Sequence, residues 1–254
     1  MLSAPCALRA LIQVCCLLLL PILSLAPAAA DLIPTSSTRE ISISLDAMSA
    51  SGQMGNFADN VSATHPDLFD QHVVHAVVLD TIFGTTLASQ QNSTFSPTTF
   101  SATGGAQTAA STTNPDSVGA FDAASTYSAV FGVDTPATYV ISGSVSHAGS
   151  AFSDPAADLG RAFIELSSGA DVLFSREANV DSFVNFEVPI PLSPGIAYTL
   201  TASANSLAEL GDAQTSSSST SAFSFALVIP EPHTANLLAA GMLGLALWSR
   251  RRSH

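Results

Sequence analysis

The sequence predicts an all-β body, an antiparallel sandwich or jelly roll, set between an N-terminal signal helix and a C-terminal transmembrane helix. Three observations predict it. Apolar and polar residues alternate with period two over many short stretches. Gly, Pro, Asp and Asn punctuate those stretches at fairly even spacing. The aromatic residues of the body are mainly Phe in alternation, which is the pattern of core-facing strand positions.

The strands follow in order. "EISISLDAM" (40–48) sets Ile41, Ile43 and Leu45 on one side against Ser42, Ser44 and Asp46 on the other. "HVVHAVVLDTIFG" (72–84) is a β-branched run that reads as one strand buried on both faces. "YSAVFGV" (127–133) and "ATYVISGSVSH" (137–147) are separated by a turn containing Pro136. "RAFIELSS" (161–168) and "VLFSRE" (172–177) form a hairpin around Gly169 and Asp171. "SFVNFEVPIPL" (182–192) and "IAYTLTASAN" (196–205) flank Ser193, Pro194 and Gly195. "SAFSFALVI" (221–229) closes the body, with Phe223, Phe225 and Leu227 in alternation. The region 127–229 carries the cleanest pattern. Residues 90–117, rich in Ser, Thr, Gly and Asn, read as a long loop, an insertion or a linker between two β units. Residues 212–221 read as a polar, flexible connection.

Residues 1–30 have the layout of a secretory signal peptide. Arg9 supplies the positive n-region, the run 10–25 the apolar h-region, and Ala28 and Ala30 a small-x-small site that places cleavage before Asp31; an uncleaved N-terminal anchor is the rival reading, disfavoured by Pro21 inside the run and the small residues after it. Cys6, Cys15 and Cys16 all fall in this segment, so the exported body 31–229 has no thiol and no disulfide. A body of that size can bury a sufficient core without one.

The charge is one-sided. The chain has no lysine, and between Asp31 and Ile229 only Arg39, Arg161 and Arg176 oppose nineteen acids, a formal charge of −16. Such a body is repelled by nucleic-acid phosphates and by anionic lipid. No nucleic-acid partner is therefore expected, and the surface suits a soluble extracellular protein.

No catalytic residue and no metal site stands out. His72 and His75 are three apart, which in a strand points them to opposite faces. Pro66 separates His65 from them, and His147 has no partner in the sequence. The pairs Asp67/Asp70 and Asp154/Asp158 have loop-like contexts, but no calcium-loop spacing accompanies them. Neither a nucleophile elbow, a phosphate-cradling glycine loop nor a zincin helix is present. Tyr127, Tyr139 and Tyr198 are the body's candidate sugar-stacking aromatics. Asn60-Val61-Ser62 and Asn92-Ser93-Thr94 match the glycosylation sequon. No cofactor is expected.

The C-terminus is more informative. Pro230, Glu231 and Pro232 precede an uncharged run, 235–249, and then Arg250, Arg251 and Arg252. As a helix the run would be about 22 Å long, short of the roughly 30 Å hydrocarbon core. The arginines place that end in the cytoplasm by the positive-inside rule. The two prolines keep the triplet extended and separate from the helix.

Val228-Ile229-Pro230-Glu231-Pro232, the apolar segment through Trp248 and the three arginines together resemble the PEP-CTERM sorting signal of exported proteins in Gram-negative bacteria. The usual form has Val directly before the triplet; here Ile229 intervenes. The resemblance covers about 27 residues, with an ordinary tail anchor as the rival reading. "GIAYTLTASAN" and "FSFALVIPEP" are also similar to β-sandwich domains that precede this tag. The resemblance implies recognition by an exosortase after passage through the general secretion machinery. It implies an inner-membrane-anchored precursor with a helix at about 234–249, then release or transfer to the cell surface. It also implies an association with exopolysaccharide or biofilm. The expectation is thus a non-enzymatic surface or matrix protein. A carbohydrate-binding module retaining polysaccharide is the first alternative and a secreted hydrolase the second.

Overall fold

A computed structural model describes residues 30–64, 69–149, 160–179, 181–211 and 216–229. From Asp31 on, these belong to one compact unit. They form antiparallel sheets in a sandwich, with no helix among the described residues. The strands are β1 (Leu32–Met48), β2 (Met54–Thr64), β3 (Phe69–His72), β4 (His75–Leu79), β5 (Ile82–Ser96), β6 (Thr99–Thr112), β7 (Val118–Val133), β8 (Ala137–Gly149), β9 (Gly160–Ser168), β10 (Asp171–Ala178), β11 (Ser182–Leu192), β12 (Tyr198–Leu210) and β13 (Ser216–Val228). One sheet runs β10-β9-β12-β7-β1-β2 and the other β11-β8-β13-β6-β5-β3, with β4 also paired to β5.

β1 behaves as its alternation requires. Ile41, Ile43 and Leu45 are buried while Glu40, Ser44 and Asp46 face solvent. The turn residues fall where their chemistry predicts, but their topological meaning differs. Gly169, at φ +60°, closes the β9–β10 hairpin. The turns at Pro136 and at Pro194 instead carry the chain from one sheet to the other, because β7 and β12 lie in the first sheet and β8 and β11 in the second.

Three local expectations are corrected. Residues 90–117 are no loop: β5 and β6 are a long hairpin whose inward positions are small, among them Ala102, Gly104, Ala106 and Ala110. Their smallness is steric complementarity. A Cβ on Gly104 would lie 2.4 Å from the Phe223 ring, and one on Gly84 would lie 2.1 Å from the Phe121 ring. Side-chain fit to the facing sheet decides strand formation here more than intrinsic propensity does. The run 72–84 is no single buried strand. Asp80, at φ 48°, turns the chain tightly between β4 and β5, and Val78 is left 75 % exposed. Residues 216–221 belong to β13, with Ser217, Ser219 and Ser221 directed inward and buried.

The interior has an aromatic part and a polar part. Phe100 meets Phe131 edge-on at 5.1 Å, and Tyr127 meets Phe225 at 5.2 Å. Each such side chain contributes about 1.5–3 kcal/mol by burial. Leu45, Ala47, Ile82, Ala110, Phe121, Ala208 and Leu210 make a further cluster, against which Phe57 packs. Between the sheets, Ser221 donates to the Asn205 carbonyl at 2.5 Å and Ser206 to the Ser219 carbonyl at 2.7 Å. These hydroxyls satisfy groups that would otherwise be costly to bury.

Candidate functional site

The two ends of the sandwich chain meet at one pole. The turn between β5 and β6 presents the carbonyls of Pro97 and Thr98. Leu32 N–H donates to the first at 2.6 Å, and Ile229 N–H to the second at 3.2 Å. Beside them, the Asp31 N–H donates to Asp134 Oδ1 at 2.8 Å, and the Asp134 N–H returns a 3.4 Å bond to the Asp31 carbonyl. The Thr135 hydroxyl adds a 3.2 Å bond to the same carboxylate oxygen. The Asp31 N–H holds the Asp134 carboxyl below its ordinary range, with Thr135 assisting. Tyr139 lies in the wall behind. Its hydroxyl is pushed up to about 12, first by burial and then by the negative charges of Asp134 and Asp31.

The described residues include few of those singled out in the sequence as a sorting or processing site. Pro230, Glu231, Pro232, Arg250, Arg251, Arg252 and Ala28 are outside the described residues, as are His65, Asp67, Asp154 and Asp158. Ala30 is described and buried. His72 ends β3 exposed, whereas His75 stacks on the Phe57 ring at 3.6 Å and seals the edge between sheets. The candidate sugar-stacking residues are corrected by burial: Tyr127, Tyr139 and Tyr198 are all interior. Alternation alone could not say which side of each strand faced the core. Among the described residues, no group of three His, Cys, Asp or Glu could hold a metal ion, and no helix is long and apolar enough to cross a membrane.

The structure supplies the partner that the sequence withheld from His147. Its Nδ1 lies 2.7 Å from Ser221 Oγ, across the β8–β13 pairing. Because the Ser221 proton is committed to the Asn205 carbonyl, the imidazole Nδ1 is the donor. The hydroxyl is therefore oriented as a staple between sheets, not as a nucleophile poised by a base.

The outer face of the first sheet carries the convergent exposed polar groups. Register aligns Asn60, Ser42, Ala124, Asn205 and Arg161, one from each of β2, β1, β7, β12 and β9. At about 4.8 Å per strand, the row spans roughly 19 Å. Two depressions lie along it and share Asp122. One, of about 460 Å³, is lined by Ala124, Arg161, Asn205 and Leu207. The other, of about 280 Å³, is lined by Ser42, Ser44 and Asn60. Partial desolvation among these neighbours raises the Asp122 carboxyl above its ordinary value. Arg161 stands 5.3 Å over the Phe163 ring and 3.8 Å from Glu177. This row offers amide, hydroxyl and guanidinium groups at strand spacing. Nothing in the linear sequence marks it, because its members come from five strands.

No family model matches the chain. No curated protein matches it either. Among solved structures it is similar to a GH31 α-xylosidase from Xanthomonas citri, at 12 % identity and a TM-score of 0.20, over 81 % of this chain and 19 % of that one. It is also similar to infectious bursal disease virus Gx strain, at 13 % identity and a TM-score of 0.18, covering 88 % of this chain and 74 % of that one. The VP2 subviral particle of infectious bursal disease virus follows at 12 % identity and a TM-score of 0.16, with coverage of 88 % and 75 %. The chain spans about a fifth of the xylosidase. Likenesses of this size carry no functional argument.

Proposed function

We propose that the protein is an exported, non-enzymatic surface or matrix protein, handled at its C-terminus by an exosortase. The observation that carries the reading is where the sandwich stops. β13 ends at Val228, and among the described residues Ile229 makes the last backbone bond, to Thr98. The triplet Pro230-Glu231-Pro232 starts with the next residue. The motif thus begins one residue past the described strand pairing, and its two prolines disfavour a helix there. In this reading a signal helix at 1–30 and a transmembrane helix at about 234–249 flank a jelly-roll-like body. The arginines stay cytoplasmic, and the body is left at the cell surface or outside the cell. The His147–Ser221 contact is not a nucleophile–base pair, since its hydroxyl is buried and already committed as a donor.

The test is the mature C-terminus, measured by mass spectrometry in a host with and without exosortase. Removal of Arg250, Arg251 and Arg252 only where exosortase is present is the expected result. Persistence of the full tail in both hosts refutes the sorting reading. Glu231→Ala should impair the removal, and unchanged removal demotes the triplet to a spacer.

A second reading, retention of polysaccharide, is favoured by one observation: the row Asn60, Ser42, Asn205 and Arg161 on the open face of the first sheet. Its groups match the hydroxyls of a neutral glycan chain, while the −16 body disfavours a polyanionic one.

A further inference from the structure

Asp31 and the first residues of β1 are held differently from the rest of that strand. The β1–β7 register shifts between Pro34 and Ser36, so residues 32–34 form a short separate pairing, and Ser36 resumes the ladder in a new register. That short piece depends on contacts of its own. Leu32 is 2 % exposed and bonds to Pro97, and Asp31 and Asp134 exchange the reciprocal pair described above. Asp134 sits just past the end of β7, where its carboxylate meets the backbone nitrogen of Asp31 and not its side chain.

In the unprocessed chain that nitrogen is an amide with a single proton. Leader cleavage before Asp31 is hydrolysis: water adds across the Ala30–Asp31 amide, the Ala30 carbonyl leaves as a carboxylate, and the Asp31 nitrogen becomes an amine. An α-amine with an ordinary pKa of about 7.7–8.0 is largely protonated at neutral pH. We propose that the Asp134 carboxylate is the receptor for the α-ammonium group created at Asp31, so that removal of the leader replaces a neutral hydrogen bond with an ion pair that fastens β1 to β7. The proposal rests on the reading of 1–30 as a cleaved leader.

The chemistry fits the place. Nitrogen and Oδ1 are already at ion-pair distance, 2.8 Å. A cationic donor makes the bond shorter and stronger than an amide does. The body is poor in cations, with three arginines against nineteen acids, so the new charge enters a field that favours it. Among the described residues, the titratable groups that interact here are the Asp31 and Asp134 carboxyls and the Tyr139 hydroxyl, whose proton burial, both carboxylates and Tyr198 help to retain. Capture of an N-terminal amine by a preformed acceptor is a recognised mode of peptide binding; here the peptide is the protein's own first residue.

The absence of lysine makes the test clean, because a mature chain has one primary amine, its α-amine. Exported protein is purified as the host leaves it, and its first residue is read by mass spectrometry. It is then acylated with N-hydroxysuccinimidyl acetate at pH 7.5 and low salt, with Asp134→Asn, and with Asp171→Asn as an equal charge change elsewhere. The ion pair keeps the amine protonated, so wild type and Asp171→Asn should react about threefold or more slowly than Asp134→Asn. Raising the salt should narrow that gap. Acylation should lower the Tm of wild type by about 1–3 °C, and that of Asp134→Asn by less. Equal rates in wild type and Asp134→Asn, with Asp31 as the first residue, overturn the proposal. A different first residue overturns it through its premise, the cleavage position. If Asp134→Asn does not accumulate, wild type alone decides: slow, salt-sensitive acylation of the native protein relative to the urea-unfolded chain supports the ion pair, and equal rates refute it.

Discussion

Leu32 and Ile229, at opposite ends of the sandwich chain, donate their amide protons to the consecutive carbonyls of Pro97 and Thr98. One turn therefore pins both the start of β1 and the end of β13. Leu32 and Ile229, near the two ends of the described body, therefore lie at the same pole.

The small residues of β6 are required by the rings that cross them. Gly104→Val would drive side-chain atoms into the Phe223 ring and toward Ser125. The expected loss is about 1–3 kcal/mol of unfolding free energy, from overpacking, read by urea denaturation. Gly105, whose Cβ would meet no heavy atom closer than 3.5 Å, should accept Ala with a much smaller loss. Equal losses at the two positions would contradict the packing argument.

Ser221→Ala should cost about 1–3 kcal/mol, because it strips a donor from the part-buried Asn205 carbonyl and an acceptor from the buried His147. Ser101→Ala is the control. Its exposed bond to Thr94 has the same hydroxyl chemistry without the burial, and its effect should stay within about 0.5 kcal/mol. The comparison is of midpoints and slopes in denaturant.

Tyr139 ties stability to alkaline pH. Its folded-state pKa is raised from 10.0 to about 12, so the folded protein holds this proton more tightly than the unfolded chain. Its contribution is fully present below pH 10 and is lost as pH rises toward 12. Tyr139→Phe should flatten part of that decline, with Tyr127, also raised, retaining the rest. At pH 7 the variant should be as stable as wild type or more so, because the Tyr139 hydroxyl has no hydrogen-bond partner among the described residues. Thermal unfolding from pH 8 to 11.5 gives both readouts. A variant that is less stable at pH 7 would reveal a hydroxyl contact.

For the polysaccharide reading, Arg161→Ala and Asn60→Ala should each weaken retention of a neutral glucan in affinity electrophoresis, and together should abolish it. Arg161 is half exposed, so its removal should leave Tm nearly unchanged. Mobility that no glycan alters, in wild type or variants, removes this reading and leaves the display reading intact.

Several features are legible in the amino-acid order alone. The alternation of Ile41, Ile43 and Leu45 names the buried face of β1, because side chains in a strand can point only two ways. Gly169 names its hairpin, because a left-handed residue suits a tight turn. The candidate sorting tail is likewise a linear pattern of prolines, apolar residues and arginines, and such patterns are read in sequence order.

What escapes the sequence depends on the facing sheet. Residues 90–117 read as a loop because small and polar residues have little strand propensity of their own; Gly104 and its neighbours are strand residues because Phe223 lies over them. Tyr127, Tyr139 and Tyr198 could face either way until the sandwich buries them. Likewise, His147 meets Ser221, Asp31 meets Asp134, and Asn60 comes into line with Arg161, only through strand register and inter-sheet packing. By itself the sequence determined the all-β class and the charge, because each follows from local pattern or composition. The tertiary structure alone decided which polar groups pair across the core and which stand together on the open face, because those pairings join residues from distant parts of the chain.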